Sequence, residues 1–150
     1  MNIYIASDHR GLEIKNKLIE YLKSNEINIK DIGLKNSLVD DYPDFAFLVC
    51  KKVLEEECLG ILICGNGIGM SIAANKVKGI RAIRAVSVND AFNGKNHNGA
   101  NVLCIGSDLD EELIYNIVDM FITTKNPSEE KHINRINKII NYENGAYNEL

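Results

Sequence analysis

The segment that most restricts the fold is Ile61-Leu62-Ile63-Cys64 followed by Gly65-Asn66-Gly67-Ile68-Gly69. Residues 61–64 are apolar without alternation, the pattern of a strand covered on both faces of a sheet. Three glycines in five residues then let the backbone turn sharply, and residues 69–76 continue with helical patterning. A strand buried on both faces needs helices on both sides, and the rest of the chain supplies them. Short apolar runs at residues 3–6, 27–32, 80–86 and 101–105 alternate with helical stretches at 11–24, from 41–44 to about 57, near 90–96, at 111–123, and from 127–128 to about 142. In the first helix Leu12, Leu18, Ile19 and Leu22 share one face. Pro43 and the acids at 41 and 44 mark a helix start. Strand–helix alternation of this kind predicts an α/β domain with a parallel sheet sandwiched between helix layers.

At 150 residues the chain is expected to form one domain spanning 1–150. Its net charge of −4, with lysines and arginines scattered, gives no basic surface for nucleic acid. The apolar run near the start is too short for a signal peptide, and none approaches the ~20 residues of a membrane span. The four cysteines (Cys50, Cys58, Cys64, Cys104) show neither a CxxC pair nor a disulfide framework, as in a reduced, cytoplasmic protein. No Cys or His pair has zinc-ligand spacing, so no zinc site is expected. For the polar tail NYENGAYNEL two readings stand: a frayed terminus, or a contact with a neighbouring subunit.

In open α/β sheets ligands bind at the carboxyl ends of the strands. The residues assigned to that edge are Ser7, Asp8, His9 and Arg10 after strand one, Cys64 and the glycines after strand three, His97 and Asn98 before strand five, and Gly106, Ser107 and Asp108 after it. The glycine turn is neither a dinucleotide fingerprint, since Met70 stands at its sixth position, nor a Walker A loop. It offers a nest of N–H groups at a helix start, suited to an anion. A thiol at the lip of such a nest is a competent base or nucleophile, and this separates Cys64 from Cys104, which reads as core. Asp8-His9 places an acid and an imidazole after strand one. His97-Asn98 lies in the Asn- and Gly-rich run NGKNHNGAN. Lys131 and Arg135, four apart, share a helix face, either as a phosphate clamp or as a solvated pair. Arg84, in an apolar strand, ends at a ligand or pairs with a carboxylate.

Together these stretches resemble the type B ribose-5-phosphate isomerases, a family that includes the allose-6-phosphate and galactose-6-phosphate isomerase subunits. The resemblance rests on IASDHRG near the start, DDYPDFA at 40–46, ILICGNGIGMSIAANKVKGIRA at 61–82, HNGANVLCIGS at 97–107 and KHINR at 131–135. It implies a five-stranded parallel sheet of order 2-1-3-5-4 and a homodimer or tetramer whose active sites are shared between subunits. It also implies aldose–ketose isomerisation through an enediolate without metal or cofactor. In that pattern Cys64 is the base, with Asn66 beside it, and the amides of Gly65, Gly67, Ile68 and Gly69, with Ser71 following, form the anion hole. His97 from the other subunit opens the sugar ring with Asp8 assisting, Tyr42 and Asn98 contact the sugar, and His9, Lys131 and Arg135 hold the phosphate.

Four positions depart from the family pattern. Asn66 stands in place of Thr or Ser, and Gly99 in place of an Asp. Asp108 replaces an Arg directed at the phosphate, and Lys131 replaces an Arg with its bidentate fork. The expected substrate is ribose 5-phosphate, with allose, galactose or tetrulose phosphates as alternatives. A non-catalytic sugar-phosphate binding module and a redox protein using Cys64 are the competing readings.

Overall fold

The computed structural model describes residues 1–33 and 41–150; Asp40, part of the DDYPDFA match, lies outside the described residues. Five strands, β1 (Asn2–Ser7), β2 (Asn28–Asp31), β3 (Leu59–Cys64), β4 (Ala82–Arg84) and β5 (Val102–Gly106), form one sheet of order β2-β1-β3-β5-β4. Every pairing is parallel. The helices are α1 (Leu12–Ser24), α2 (Tyr42–Glu56), α3 (Ile68–Ala74), α4 (Val88–Asn96), α5 (Glu111–Thr123) and α6 (Glu130–Glu143).

The unbroken apolar runs are explained by two cores. One face of the sheet carries Ile3, Ile5, Ile61, Ile63, Leu103 and Ile105 and packs on α1, α4 and α5. The other carries Tyr4, Ala6, Leu62, Cys64, Val102 and Cys104 and packs on α2 and α3. Successive residues of a strand point to opposite faces, so both sets must be apolar and no alternation survives in the sequence. The three-layer sandwich and the strand order therefore match the expectation.

Element ends differ from the sequence reading where pairing, not hydropathy, decides them. β3 begins at Leu59 because that residue pairs with Ile3. β4 keeps only three residues of the expected 80–86, since it is an edge strand paired to β5 alone. α3 begins at Ile68, one residue earlier than expected, and α6 begins at Glu130, because the chain is still extended at Glu129. Beneath the sheet's β2 edge the buried Lys15 ammonium of α1 meets both Asp31 carboxylate oxygens at 2.9 Å. Such a pair resists removal of one partner, which would leave the other charge buried and uncompensated.

Candidate active site

The glycine turn sits at the carboxyl edge of the sheet's central strand. Cys64 ends β3, 5% exposed, with its side chain on the α2–α3 face. Gly67 adopts φ 77°, a conformation that disfavours any side chain, and its N–H donates to Cys64 Sγ at 3.2 Å. The β5 loop braces the turn from the side: Ser107 N–H donates to Cys64 O at 2.8 Å, and Asp108 N–H to Gly65 O at 3.2 Å.

Asn66 and Arg84 both make hydrogen bonds within the turn. Asn66 Oδ1 accepts the Ile68 N–H at 3.0 Å, capping the first turn of α3. Arg84 Nε donates to Asn66 O at 2.8 Å and ties the edge strand to the turn; among the described residues no ion pair includes Arg84. The first four amides of a helix lack intrahelical acceptors. In α3 the Gly67 amide goes to sulfur and the Ile68 amide to Asn66, which leaves those of Gly69 and Met70 as donors at the helix start. Tyr42, the first residue of α2, lies across this point: a Cβ at Gly69 would fall 2.7 Å from the Tyr42 ring. The turn thus presents a sulfur, two amides and a phenol around one small region, with Ser71 one residue further along α3.

β1 brings Asp8 and His9 to the same edge. Asp8 is buried; its N–H donates to Ile63 O, and its Oδ1 accepts the Gly11 N–H at 3.2 Å, capping a short 3₁₀ turn over His9–Gly11. His9 is exposed.

His97 and Asn98 do not belong to this edge, which corrects the sequence reading. In a parallel sheet a helix that leaves the carboxyl end of one strand must return to the amino end of the next. His97 closes α4 on that return and lies before β5. Cys64 is level with Gly106, so the length of β5, about 16 Å at ~3.3 Å per residue, separates the two groups within one chain. His97 is held there by a stack on His132 of α6, ring centroids 4.3 Å apart and 13° from parallel, with Phe92 edge-on at 6.1 Å. Arg81 Nε donates to the carbonyls of Asn98 (3.1 Å) and Gly99 (3.0 Å). Gly99 adopts φ 60°, and a Cβ there would stand 3.2 Å from Ile136 of α6, which accounts for glycine at this position. Lys131 and Arg135 flank His132 on α6; Lys131 pairs with Glu129 at 3.0 Å.

His132 is the residue the sequence reading missed. Nothing in its spacing marks it, because its partner is 35 residues away and only the packing of α6 brings them together. Burial, with His97, Lys131 and Arg135 nearby and Glu129 opposing them, holds its imidazole below the usual histidine range. The folded chain therefore binds fewer protons here than the unfolded one, and stability falls as pH drops through about 6.5. We expect His132→Phe, which preserves a ring for the stack, to lessen the difference in urea midpoint between about pH 7.5 and about pH 5.5; an unchanged difference would reject this account.

The remaining thiols behave as core. Burial pushes Cys50 up to about 11 and Cys104 well above the usual thiol range. Among the described residues no cluster of three His, Cys, Asp or Glu side chains is arranged to hold a metal ion, and no helix is long and apolar enough to cross a membrane.

A thiol whose sulfur accepts from a glycine turn, at the carboxyl edge of a parallel sheet, is chemically able to take up a proton beside a group of amides suited to an anion. The comparisons with known proteins give the family. The family model for ribose/galactose isomerases matches residues 3–139, and the chain belongs to that family. It is 48% identical over 147 residues to the probable ribose-5-phosphate isomerase B of Mycoplasma genitalium, covering 95% of each chain. The crystal structure of ribose-5-phosphate isomerase B from that organism with bound ribulose-5-phosphate superposes with a TM-score of 0.89 at 46% identity, covering 95% of this chain and 96% of the other. The Clostridium thermocellum ribose-5-phosphate isomerase B matches at TM-score 0.91 and 37% identity, over 97% and 99%.

Proposed function

We propose that this protein interconverts ribose 5-phosphate and ribulose 5-phosphate through an enediolate. The observation that carries the reading is the Cys64 Sγ–Gly67 N–H contact, which sets a base against the nest, in a chain similar to a relative solved with ribulose 5-phosphate bound. The Cys64 thiolate takes the proton from C2 of the open-chain aldose. The C–H electrons form the C1–C2 double bond, and the carbonyl electrons move onto O1. The amides of the 65–69 turn, with Gly69 and Met70 uncommitted, face that developing charge; one such donor is worth ~10²–10³ in rate. Return of the proton to C1, with a hydroxyl proton passing from O2 to O1, completes the ketose. The sequence conserves atoms and electrons and calls on no cofactor.

Asn66 holds the helix start and offers its amide to the reacting hydroxyls. His97 opens the furanose ring with Asp8 assisting, its imidazole nitrogens able to donate and accept. Tyr42 and Asn98 contact the sugar, Ser71 lies behind the anion hole, and His9, Lys131 and Arg135 bind the phosphate. A five-carbon sugar cannot bridge both edges of one sheet, so His97, Asn98, Lys131 and Arg135 serve the site of a second copy. We place α6 and the tail, 128–150, against that copy: Ile133, Ile139 and Tyr142 of α6 are exposed and apolar. A homodimer, or two dimers paired, in the reducing cytoplasm fits the free cysteines.

A panel of four- to six-carbon sugar phosphates scored for aldose–ketose exchange tests the substrate. The highest kcat/KM is expected for ribose 5-phosphate; higher turnover of a tetrulose, allose or galactose phosphate would reassign it. Binding without exchange would support the non-catalytic module.

A further inference from the structure

Arg10, at the carboxyl edge, takes no part in the chemistry proposed above. Arg10 follows His9 in the 3₁₀ turn and is exposed. Its guanidinium lies on the backbone of Gly65: a Cβ at that residue would stand 2.2 Å from Arg10 Cζ, 2.4 Å from Nη1 and 2.7 Å from Nε. The group thus fills the place of a side chain at the residue next to Cys64, between the β1 end and the glycine turn, and only glycine at 65 allows it.

Three of the carboxylates nearby are already engaged. Arg10 lines a cavity of about 240 Å³ together with Ser107, Lys17, Glu13 and Glu111. Lys17 holds both of those acids, Glu111 at 2.9 Å and Glu13 at 3.4 Å. Asp8 Oδ1 takes the Gly11 amide. The Asp108 carboxylate lies over Gly106, where a Cβ would stand 2.2 Å from its Oδ1. Among the described residues none of the ion pairs includes Arg10.

We propose that Arg10 is a specificity-determining residue that binds the substrate's phosphate from its seat on Gly65. A planar guanidinium presents two parallel N–H donors to a phosphate, and its charge is permanent, which suits a dianion at this edge. This inference rests on the proposed isomerase reading for the identity of the substrate, but not for the binding of phosphate.

Arg10→Gln and Arg10→Lys in the full-length chain test it by two readouts, kinetics with ribose 5-phosphate and calorimetry with inorganic phosphate. Loss of one charge-assisted contact is expected to raise KM about 10–100-fold in Arg10→Gln, with kcat changed less than about threefold, and to weaken phosphate binding in parallel. Arg10→Lys should recover part of both. Unchanged phosphate affinity, or a loss confined to kcat, overturns the proposal. If the wild-type chain turns over no sugar phosphate, the isomerase reading fails, and the phosphate titration still decides Arg10.

Discussion

Cys64→Ala is expected to lower kcat at least ~10³-fold, the scale of removing a positioned base, while the chain stays folded. The reason is the position of the sulfur. It is the side-chain atom that the nest addresses directly, through Gly67 at 3.2 Å, and no other cysteine reaches the turn. Structurally the change is small: removing one sulfur from a packed site costs about 1 kcal/mol, a shift of about 2–4 °C in melting temperature for a chain this size. Cys104→Ala is the internal control. Cys104 lies two residues back on the paired strand and the same face, but its burial keeps the thiol protonated, and its variant should retain activity. A Cys64→Ala protein with wild-type turnover would end the base assignment, and equal losses in both variants would point to packing.

The second expected result concerns the two edges of the sheet. Cys64→Ala and His97→Ala should each be inactive alone. When the two are unfolded and refolded together in equal amounts, half the dimers are mixed, and each mixed dimer has one site with both groups intact. Activity should return to roughly a quarter of wild type, as two-fold symmetry requires. No recovery, in a mixture shown to contain mixed dimers, would mean that Cys64 and His97 do not meet across an interface. The test is demanding because the structure separates them by the length of β5, and nothing within one chain can close that gap.

Much of this protein is readable along its sequence. The unbroken apolar strands required helices on both faces, and the helices are there. Cys64 and its three alternating glycines announced a thiol beside an anion nest, and Gly67 donates to that thiol. The sequence was less informative where a contact spans the chain. Hydropathy could not shorten β4, whose length is set by its single neighbour. It could not say that Arg84 ends on Asn66 O, or that Arg10 lies on Gly65, because both depend on how strand ends are brought side by side.

Local chemistry, meaning strand burial, turn glycines and the thiol at their edge, is determined by residue type and spacing, since its partners are within a few positions. The allocation of His97, Asn98, Lys131 and Arg135 to the far edge, the His97–His132 stack and the seat of Arg10 were decided only by the tertiary structure. The physical reason is the parallel sheet itself: each returning helix carries its last residues a full strand length away from the strand end it left, and no sequence interval records that distance.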